Sequence, residues 1–225
     1  MVPNDDGDDL AAVTALMQFF RGDGLTERLA SAEAALVGCS GEAGAAAAAE
    51  RGLTEAMLLA ALAVRSQVGR LNDVIHACTI ALALPHILEP GEQIVIRPSL
   101  GAGNDPSRPF DLETDRRIAE FKVAQWKGKD AMRKRTVVSD LVHLAMDDSG
   151  RRAQLYVVGV RPLTFLRTSA TTVSWALGRS SPRTRERYAS TFDAQGTMSV
   201  AQFTAGPAAH VELVDLGAFL TGLAD

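Results

Sequence analysis

The chain has 225 residues, 47% hydrophobic and 22% charged, which is ordinary for a soluble globular protein and enough to build a core without covalent staples. A formal net charge of −4 excludes a polycation, so binding of a polyanion would depend on a local basic surface. Only two cysteines are present, Cys39 and Cys78, which excludes a disulfide framework and favours a reducing compartment.

The N-terminus carries no sign of export. Asn4 to Asp9 is acidic, the opposite of the basic start of a secretory signal. The most apolar stretch, Val74 to Leu88, is interrupted by His76 and Pro85 and is too short to span a bilayer. We therefore expect a soluble, cytoplasmic protein without a membrane segment.

The first part of the chain predicts helices. Residues 1–9 are expected to form a disordered acidic leader, followed by a helical region over residues 10–65. Apolar residues at helical spacing predict two helices within residues 10–37, separated at Asp23-Gly24. The Gly/Ala-rich stretch from Ser40 to Ala49 predicts a loop that leads into an alanine-rich helix.

One or two long helices are predicted next, from Thr54 to Leu88, because apolar residues recur there at steps of three and four. Gly69 is expected to mark a break between them. Pro85 and the Pro90-Gly91 pair are expected to end this region.

The pattern then changes to strands. Short β-type runs occupy residues 92–97, 109–114 and 117–124, followed by a helix over 130–146 and a buried strand over 153–159. After Pro162 the pattern is uninformative until Val211 to Leu223, which predicts a last strand and helix. We therefore expect residues 66–225 to form one α/β (α+β) domain, a sheet with helices packed on it.

The two middle strands form a predicted hairpin that turns at Thr114 to Arg117. This turn places Asp111 opposite Glu120, and cross-strand partners share a face of the sheet. One face then carries the residues Asp111, Glu113, Ile118, Glu120 and Lys122. The other carries Phe110, Leu112, Ala119, Phe121 and Val123, an apolar core face.

The first face has the composition of a cation site. Two carboxylates about 5 Å apart repel each other unless a cation lies between them. Mg²⁺ or Mn²⁺ suits one or two carboxylates together with water and phosphate oxygens. Such an ion can polarise a phosphodiester, and Lys122 could orient or deprotonate a water or offset charge in the transition state.

The sequence Asp111…Glu120-Phe121-Lys122 resembles the core of the PD-(D/E)xK nuclease superfamily, which has the restriction-endonuclease-like fold, a central mixed sheet flanked by helices. The order helix, strand, hairpin, helix, strand in residues 70–159 is similar to that of the superfamily. The resemblance implies metal binding by Asp111, Glu120 and the backbone carbonyl of Phe121, with Lys122 supporting the attacking water. Phe110 stands where a proline often precedes the first aspartate, which leaves Glu113 and Asp115 open as alternatives to Asp111.

The resemblance implies two further site residues. Many members place an acidic residue on the helix before the first strand, and Asp73 matches this position better than Glu55. Gln125 follows the lysine, where related nucleases often keep a polar active-site residue. His76 is expected to be a helix residue near the rim of the site rather than a zinc ligand, because no cysteine pair stands near it.

A competing interpretation assigns no catalytic or metal-binding role to this face of the hairpin. Glu-x-Lys occurs by chance about once in a chain of this length, and a hairpin face with acids and a lysine can be an ordinary solvent-exposed, salt-bridged surface. No cofactor-binding motif is recognised, because Pro106 stands where the third glycine of a dinucleotide-binding loop belongs.

Two basic segments could line a phosphate-binding groove. The first adjoins the proposed site and comprises Lys127, Lys129, Arg133, Lys134 and Arg135. The second comprises Arg179, Arg183, Arg185 and Arg187. Solvated surface is an equally good explanation for either segment.

The sequence therefore predicts a Mg²⁺- or Mn²⁺-dependent endonuclease that hydrolyses phosphodiester bonds of DNA, with RNA less favoured, in restriction, repair or defence against foreign DNA. A homodimer would allow such an enzyme to cut both strands. One alternative is a catalytically inactive protein of the same fold, which binds nucleic acid or serves as a scaffold. A second is a helical module in which residues 1–65 bind a partner and the α/β part is support.

Overall fold

The computed structural model describes residues 6–21, 25–37, 39, 41–100, 109–126 and 130–223. Contacts between residues divide the chain into two units, Met1–Asn72 and Asp73–Asp225. The division falls inside one long helix, a few residues after residue 66, where the sequence predicted the second domain to begin.

Helices make up the N-terminal unit. They are α1 (Asp6–Arg21), α2 (Leu25–Leu36), α3 (Gly41–Ala49) and the first part of α4 (Glu55–Ile87). The structure confirms two helices within residues 10–37 and an alanine-rich helix after them. Residues 6–9 were expected to be disordered but form the first turn of α1, while the rest of the predicted leader and the predicted break at Asp23-Gly24 lie outside the described residues.

The long helix α4 corrects one prediction and confirms another. It continues through Gly69 without the expected break. It ends at Ile87, with Pro85 in its last turn, close to the expected end at Leu88. A glycine costs a helix interior only about 1 kcal/mol, which the rest of a 33-residue helix can offset. Among the described residues, no helix is long and apolar enough to cross a membrane.

A five-stranded mixed sheet forms the centre of the second unit. Its strands are β1 (Ile94–Ile96), β2 (Leu112–Thr114), β3 (Arg117–Lys122), β4 (Arg152–Val157) and β5 (Glu212–Asp215). They lie in the order β1-β2-β3-β4-β5, with β1, β2 and β3 antiparallel and β3, β4 and β5 parallel. At one edge, β1 has three exposed apolar residues, and its register with β2 is irregular between Ile94 and Ile96.

Five α-helices follow the hairpin within residues 130–223. They are α5 (Ala131–Ala145), α6 (Val160–Thr168), α7 (Val173–Leu177), α8 (Pro182–Thr191) and α9 (Val200–Ala205). The sequence predicted α5 but gave no elements between residue 162 and β5. The helix expected at the C-terminal end is instead two short 3₁₀ turns, Leu216–Ala218 and Thr221–Leu223.

The sheet is covered on both faces. Ile80, Ala83 and Ile87 of α4 pack with Ala119 and Phe121 on one face. On the other face, Ile118 of β3 packs with residues of α5 to α9. Because both faces are covered, β3 and β4 are almost entirely buried along their length.

The hairpin has the predicted register. Leu112 pairs with Ala119 and Glu113 pairs with Ile118. The predicted core face is confirmed for Leu112, Ala119 and Phe121, but Phe110 was assigned to it wrongly and packs beside Ile118 on the opposite face. The regular alternation of side chains begins only at Leu112, where β2 begins, and Phe110 precedes it.

A buried ion pair fixes the turn end of this hairpin. The guanidinium of Arg117 donates two hydrogen bonds to the carboxylate of Glu92, and both side chains are almost fully buried. Arg117 also donates to Gln154 Oε1 of β4 at 2.9 Å, and the Thr114 hydroxyl donates to Glu92 Oε1 at 2.6 Å. The hydrogen bond from Arg117 lowers the pKa of Glu92 to about 2, although its burial opposes the shift.

We expect Glu92→Gln to lower the free energy of unfolding by about 3 kcal/mol at pH 7, because the variant leaves the Arg117 charge buried and unpaired. The folded-state pKa of Glu92 is lowered from 4.5 to about 2, so its contribution to stability is present at neutral pH. The difference between wild type and variant should therefore narrow as the pH falls from about 4.5 towards 2, as urea unfolding at several pH values would measure.

The matched control is Glu89→Gln, which removes the surface ion pairs of Glu89 with Arg116 and Arg152. Exposed pairs contribute little, so this variant should unfold close to wild type. Equal losses in the two variants would contradict a special role for the buried pair.

Candidate functional site

A cluster of charged side chains lies between β3 and α5. Glu120 and Lys122 alternate with Phe121 on β3 and therefore share the face of Ile118, which α5 covers. Asp140 lies on α5 and approaches this face. The helix is held by its N-cap Asp130 and by a buried stripe of apolar residues, Val137, Val138, Leu141, Val142 and Leu144.

Lys122 is at the centre of the cluster. Its Nζ lies 3.0 Å from Asp140 Oδ2 and 3.3 Å from Glu120 Oε2. The contact with Asp140 is an ion pair rather than a well-aligned hydrogen bond. Glu120 has only 9% of its side chain exposed. The solvent-exposed, salt-bridged face of the competing interpretation is therefore not what the structure has at this position.

Asp111 joins the cluster from the residue before β2. Its Oδ2 accepts a hydrogen bond from the Phe121 N–H at 2.9 Å, and its negative charge contributes to the raised pKa of Glu120. On the α4 side, His76 Nε2 lies 3.5 Å from Asp111 Oδ1. The structure therefore brings together Asp111, Glu120 and Lys122, as the hairpin register predicted.

Burial and neighbouring charges shift the pKa values of both Glu120 and Lys122. Burial raises the pKa of Glu120 well above its ordinary value, and the charges of Asp140 and Asp111 add to this effect. Burial alone would lower the pKa of Lys122, but the surrounding carboxylates outweigh it and raise the pKa. In this arrangement Lys122 is an ammonium, and Glu120 keeps its proton to a higher pH than a free carboxyl group does.

Two other carboxylates of the cluster shift in opposite directions. Burial raises the pKa of Asp140, even though the charge of Lys122 opposes the shift. Burial would also raise the pKa of Asp111, but the hydrogen bond with His76, the charge of Lys122 and the Phe121 N–H lower it. Asp111 is therefore the carboxylate of the cluster that stays ionised most readily.

Asp140 was missed by the sequence analysis. It stands three residues after Val137 and one before Leu141, within the helical period of the buried stripe, where an apolar residue is expected. A carboxylate at such a position was the available signal. Asp73, the tentative ligand, is half-buried on α4 one turn before His76 and so shares its face.

The other predicted site residues make the following contacts in the structure. Among the described residues, the side chain of Gln125 makes no hydrogen bond with the cluster. The backbone carbonyl of Gln125 accepts a hydrogen bond from Arg133 at 2.7 Å. Phe121 lies between Glu120 and Lys122 on β3, and its N–H donates to Asp111 Oδ2. Of the alternatives to Asp111, Glu113 is buried and paired with Arg151, and Asp115 Oδ1 accepts from the Gln93 N–H.

The first basic segment is largely engaged within the protein. Arg133 pairs with Asp130 at 2.8 Å, and Lys134 Nζ lies 5.3 Å from the centre of the Phe165 ring. Arg135 stacks on the Trp175 ring at 4.0 Å and donates to the Trp175 carbonyl. Lys127 and Lys129 lie outside the described residues.

The cluster has oxygen ligands of the kind that a hard cation prefers. Across the part of the chain that the structure describes, however, no group of three or more His, Cys, Asp or Glu side chains is positioned to hold a metal ion. Asp111 and Glu120 are the pair of carboxyl groups between which a cation would lie.

Comparison with known proteins adds no relative. The chain matches none of the protein-family models, curated proteins or solved structures with which it was compared.

We expect Lys122→Met to lower the free energy of unfolding by about 3 kcal/mol at pH 7, because it leaves the carboxylates around it without their cation. Without Lys122 the folded-state pKa values of these carboxyl groups rise further, so the variant loses stability as the pH rises. The deficit relative to wild type, measured by urea unfolding, should thus be larger at pH 7 than at pH 5.

Lys134→Met serves as the matched control, since it removes a lysine of α5 that contacts only an aromatic ring in the described structure. Its effect should stay below about 1 kcal/mol at both pH values. A deficit of Lys122→Met that does not change with pH would argue against carboxylate repulsion as its cause.

Proposed function

We propose that this protein is a metal-dependent nuclease that hydrolyses phosphodiester bonds of nucleic acid, with DNA as the favoured substrate. The observation that carries the proposal is the buried cluster in which Asp111, Glu120 and Asp140 surround Lys122. Buried charges are costly and are seldom kept without a use, so their presence beside a covered sheet favours a functional site.

The arrangement of the elements supports the restriction-endonuclease-like fold as part of this proposal. A helix precedes three antiparallel strands, and a second helix then connects β3 to the parallel strand β4. This is the order that the resemblance to the PD-(D/E)xK superfamily implies. Fold alone does not determine function, so the argument depends on the cluster.

Asp111 and Glu120 would hold one divalent cation, Mg²⁺ or Mn²⁺. Their donor set fits, because Mg²⁺ is commonly bound by one or two carboxylates and completes its shell with water and phosphate oxygens. The raised pKa of Glu120 also fits, since burial and the charges of Asp140 and Asp111 raise it and a bound cation would oppose these effects. When bound, such an ion would polarise the phosphodiester and lower the pKa of a water molecule.

The other charged residues of the site would orient the attacking water and the metal ligands and would offset negative charge on the phosphate. Lys122 is an ammonium in this arrangement, so we assign it to positioning the attacking water and offsetting the negative charge that develops on the phosphate, rather than to removing a proton. Asp140 holds the lysine at 3.0 Å. His76 contacts Asp111 and would fix the orientation of that carboxylate.

A second candidate is a protein of this fold that binds nucleic acid without turnover. It is favoured by the lack, within the described residues, of three or more acidic, histidine or cysteine side chains positioned around one metal. This candidate predicts binding that depends on salt and is indifferent to divalent cations.

We expect purified protein to cleave plasmid DNA with Mg²⁺ or Mn²⁺ and not with EDTA. Glu120→Gln should retain the fold, because glutamine mimics the protonated carboxyl group, but should lower the cleavage rate by a factor on the order of 100 or more. Agarose-gel assays of wild type and variant at equal concentration would measure the rates.

Asp148→Asn is the control, because Asp148 is exposed in the turn between α5 and β4. It should cleave at the wild-type rate. Cleavage that survives Glu120→Gln would remove the site from the proposal, and plasmid binding without cleavage under any metal condition would favour the second candidate.

A further inference from the structure

The two basic segments differ in how the structure uses them. In the first, the arginine and lysine side chains of α5 are bound to carbonyls, a carboxylate and aromatic rings of the same chain. In the second, Arg183 is exposed on α8 and makes no hydrogen bond or ion pair with any residue that the structure describes. Among the residues that the structure describes, the second segment is therefore the one with a cation that has no hydrogen-bonding or ion-pair partner.

A cleft lies between α5 and α8. It has a volume of about 300 Å³, and its lining includes Ser139, Asp140 and His143 of α5 with Arg183, Thr184 and Arg187 of α8. Arg183 and Arg187 are four residues apart on one helix and so face the same direction. Arg187 donates one hydrogen bond to the Met146 carbonyl at 2.9 Å, which leaves most of its five N–H groups for a ligand.

The cleft adjoins the charged cluster. Asp140 lines it and also lies 3.0 Å from Lys122 Nζ, so an occupant of the cleft would be next to the cluster. Any phosphate in the cleft would be attracted by the arginines and repelled by an ionised Asp140, so a single free anion has little to gain there. A nucleic-acid strand carries phosphates in succession and can place one against the arginines while its neighbour meets the cluster.

We propose that Arg183 and Arg187 bind a backbone phosphate of the nucleic-acid strand, adjacent to the phosphate that is attacked. Planar guanidinium groups match phosphate oxygens through paired N–H donors, and the Thr184 and Ser139 hydroxyls lie in the same cleft. The inference depends on the proposed function for the identity of the attacked phosphate, but binding in the cleft can be measured without turnover.

The test is fluorescence anisotropy of a labelled 20-base-pair duplex with wild-type protein in EDTA, at several salt concentrations. The variant R183Q/R187Q should bind about tenfold or more weakly, and the slope of log affinity against log salt should flatten by about 1 to 2. R183Q alone should show part of both effects. Because the Arg183 side chain is exposed and makes no hydrogen bond or ion pair with the described residues, that variant should fold as wild type does, which thermal unfolding would check.

The matched control is R179Q/R185Q, which removes the same charge from the same region. Arg185 lines a different cavity and Arg179 contacts only Met132 among the described residues, so neither belongs to the cleft. Affinity should change less than about twofold. Equal losses in both double variants would overturn the proposal, because a general basic surface would then explain binding.

Two further outcomes are informative. One distinguishes a nucleic-acid strand from free phosphate as the ligand of the cleft, and the other distinguishes the cleft proposal from the proposed nuclease activity. If wild type does not bind the duplex, while inorganic phosphate at constant ionic strength shifts NMR signals of α5 and α8, the cleft takes free phosphate and the proposal is wrong. If the duplex binds through Arg183 and Arg187 but plasmid is never cleaved, the cleft assignment stands and the proposed nuclease activity fails.

Discussion

The ion pair between Arg117 and Glu92 is the constraint on which the position of the cluster depends. The pair connects the segment before β1 to the start of β3. Arg117 also donates a hydrogen bond to Gln154, which connects the pair to β4. Side chains on a strand alternate between faces, so a slip of one residue would move Glu120 and Lys122 to the face covered by α4. A buried pair is weak evidence of stability but can specify one register among several, which is the role its place at the turn suggests.

The cluster shows how charged side chains can be stable on a sheet face that helices cover. Both faces of β3 are packed against helices, so the ammonium of Lys122 is stable there only because carboxylates surround it. Burial raises the pKa of Glu120 and of Asp140, and the carboxylates, which outnumber the lysine, add to this effect. An arrangement with surplus negative charge is less stable by itself than an apolar one would be, and it is suited to accept a cation.

Local patterns predicted the hairpin and its register, because a tight turn and alternating side chains determine which residues face each other. They did not predict Asp140 in the cluster, since its contact with Lys122 depends on how α5 packs across the sheet. Phe110 was misplaced because alternation was extended beyond the end of β2. The helices from α6 to α9 were not predicted because they are short, from 5 to 10 residues, and carry too few turns to show a clear period.

The edge strand β1 has a consequence for the behaviour of the protein at high concentration. Its apolar residues Ile94, Val95 and Ile96 are exposed, and such an edge can template pairing with another chain and so lead to aggregation. The strand is only three residues long, and the irregular register between Ile94 and Ile96 interrupts its row of free donors and acceptors. The short length and the irregular register of β1 therefore protect this edge against pairing with another chain. Its exposed apolar side chains give no such protection.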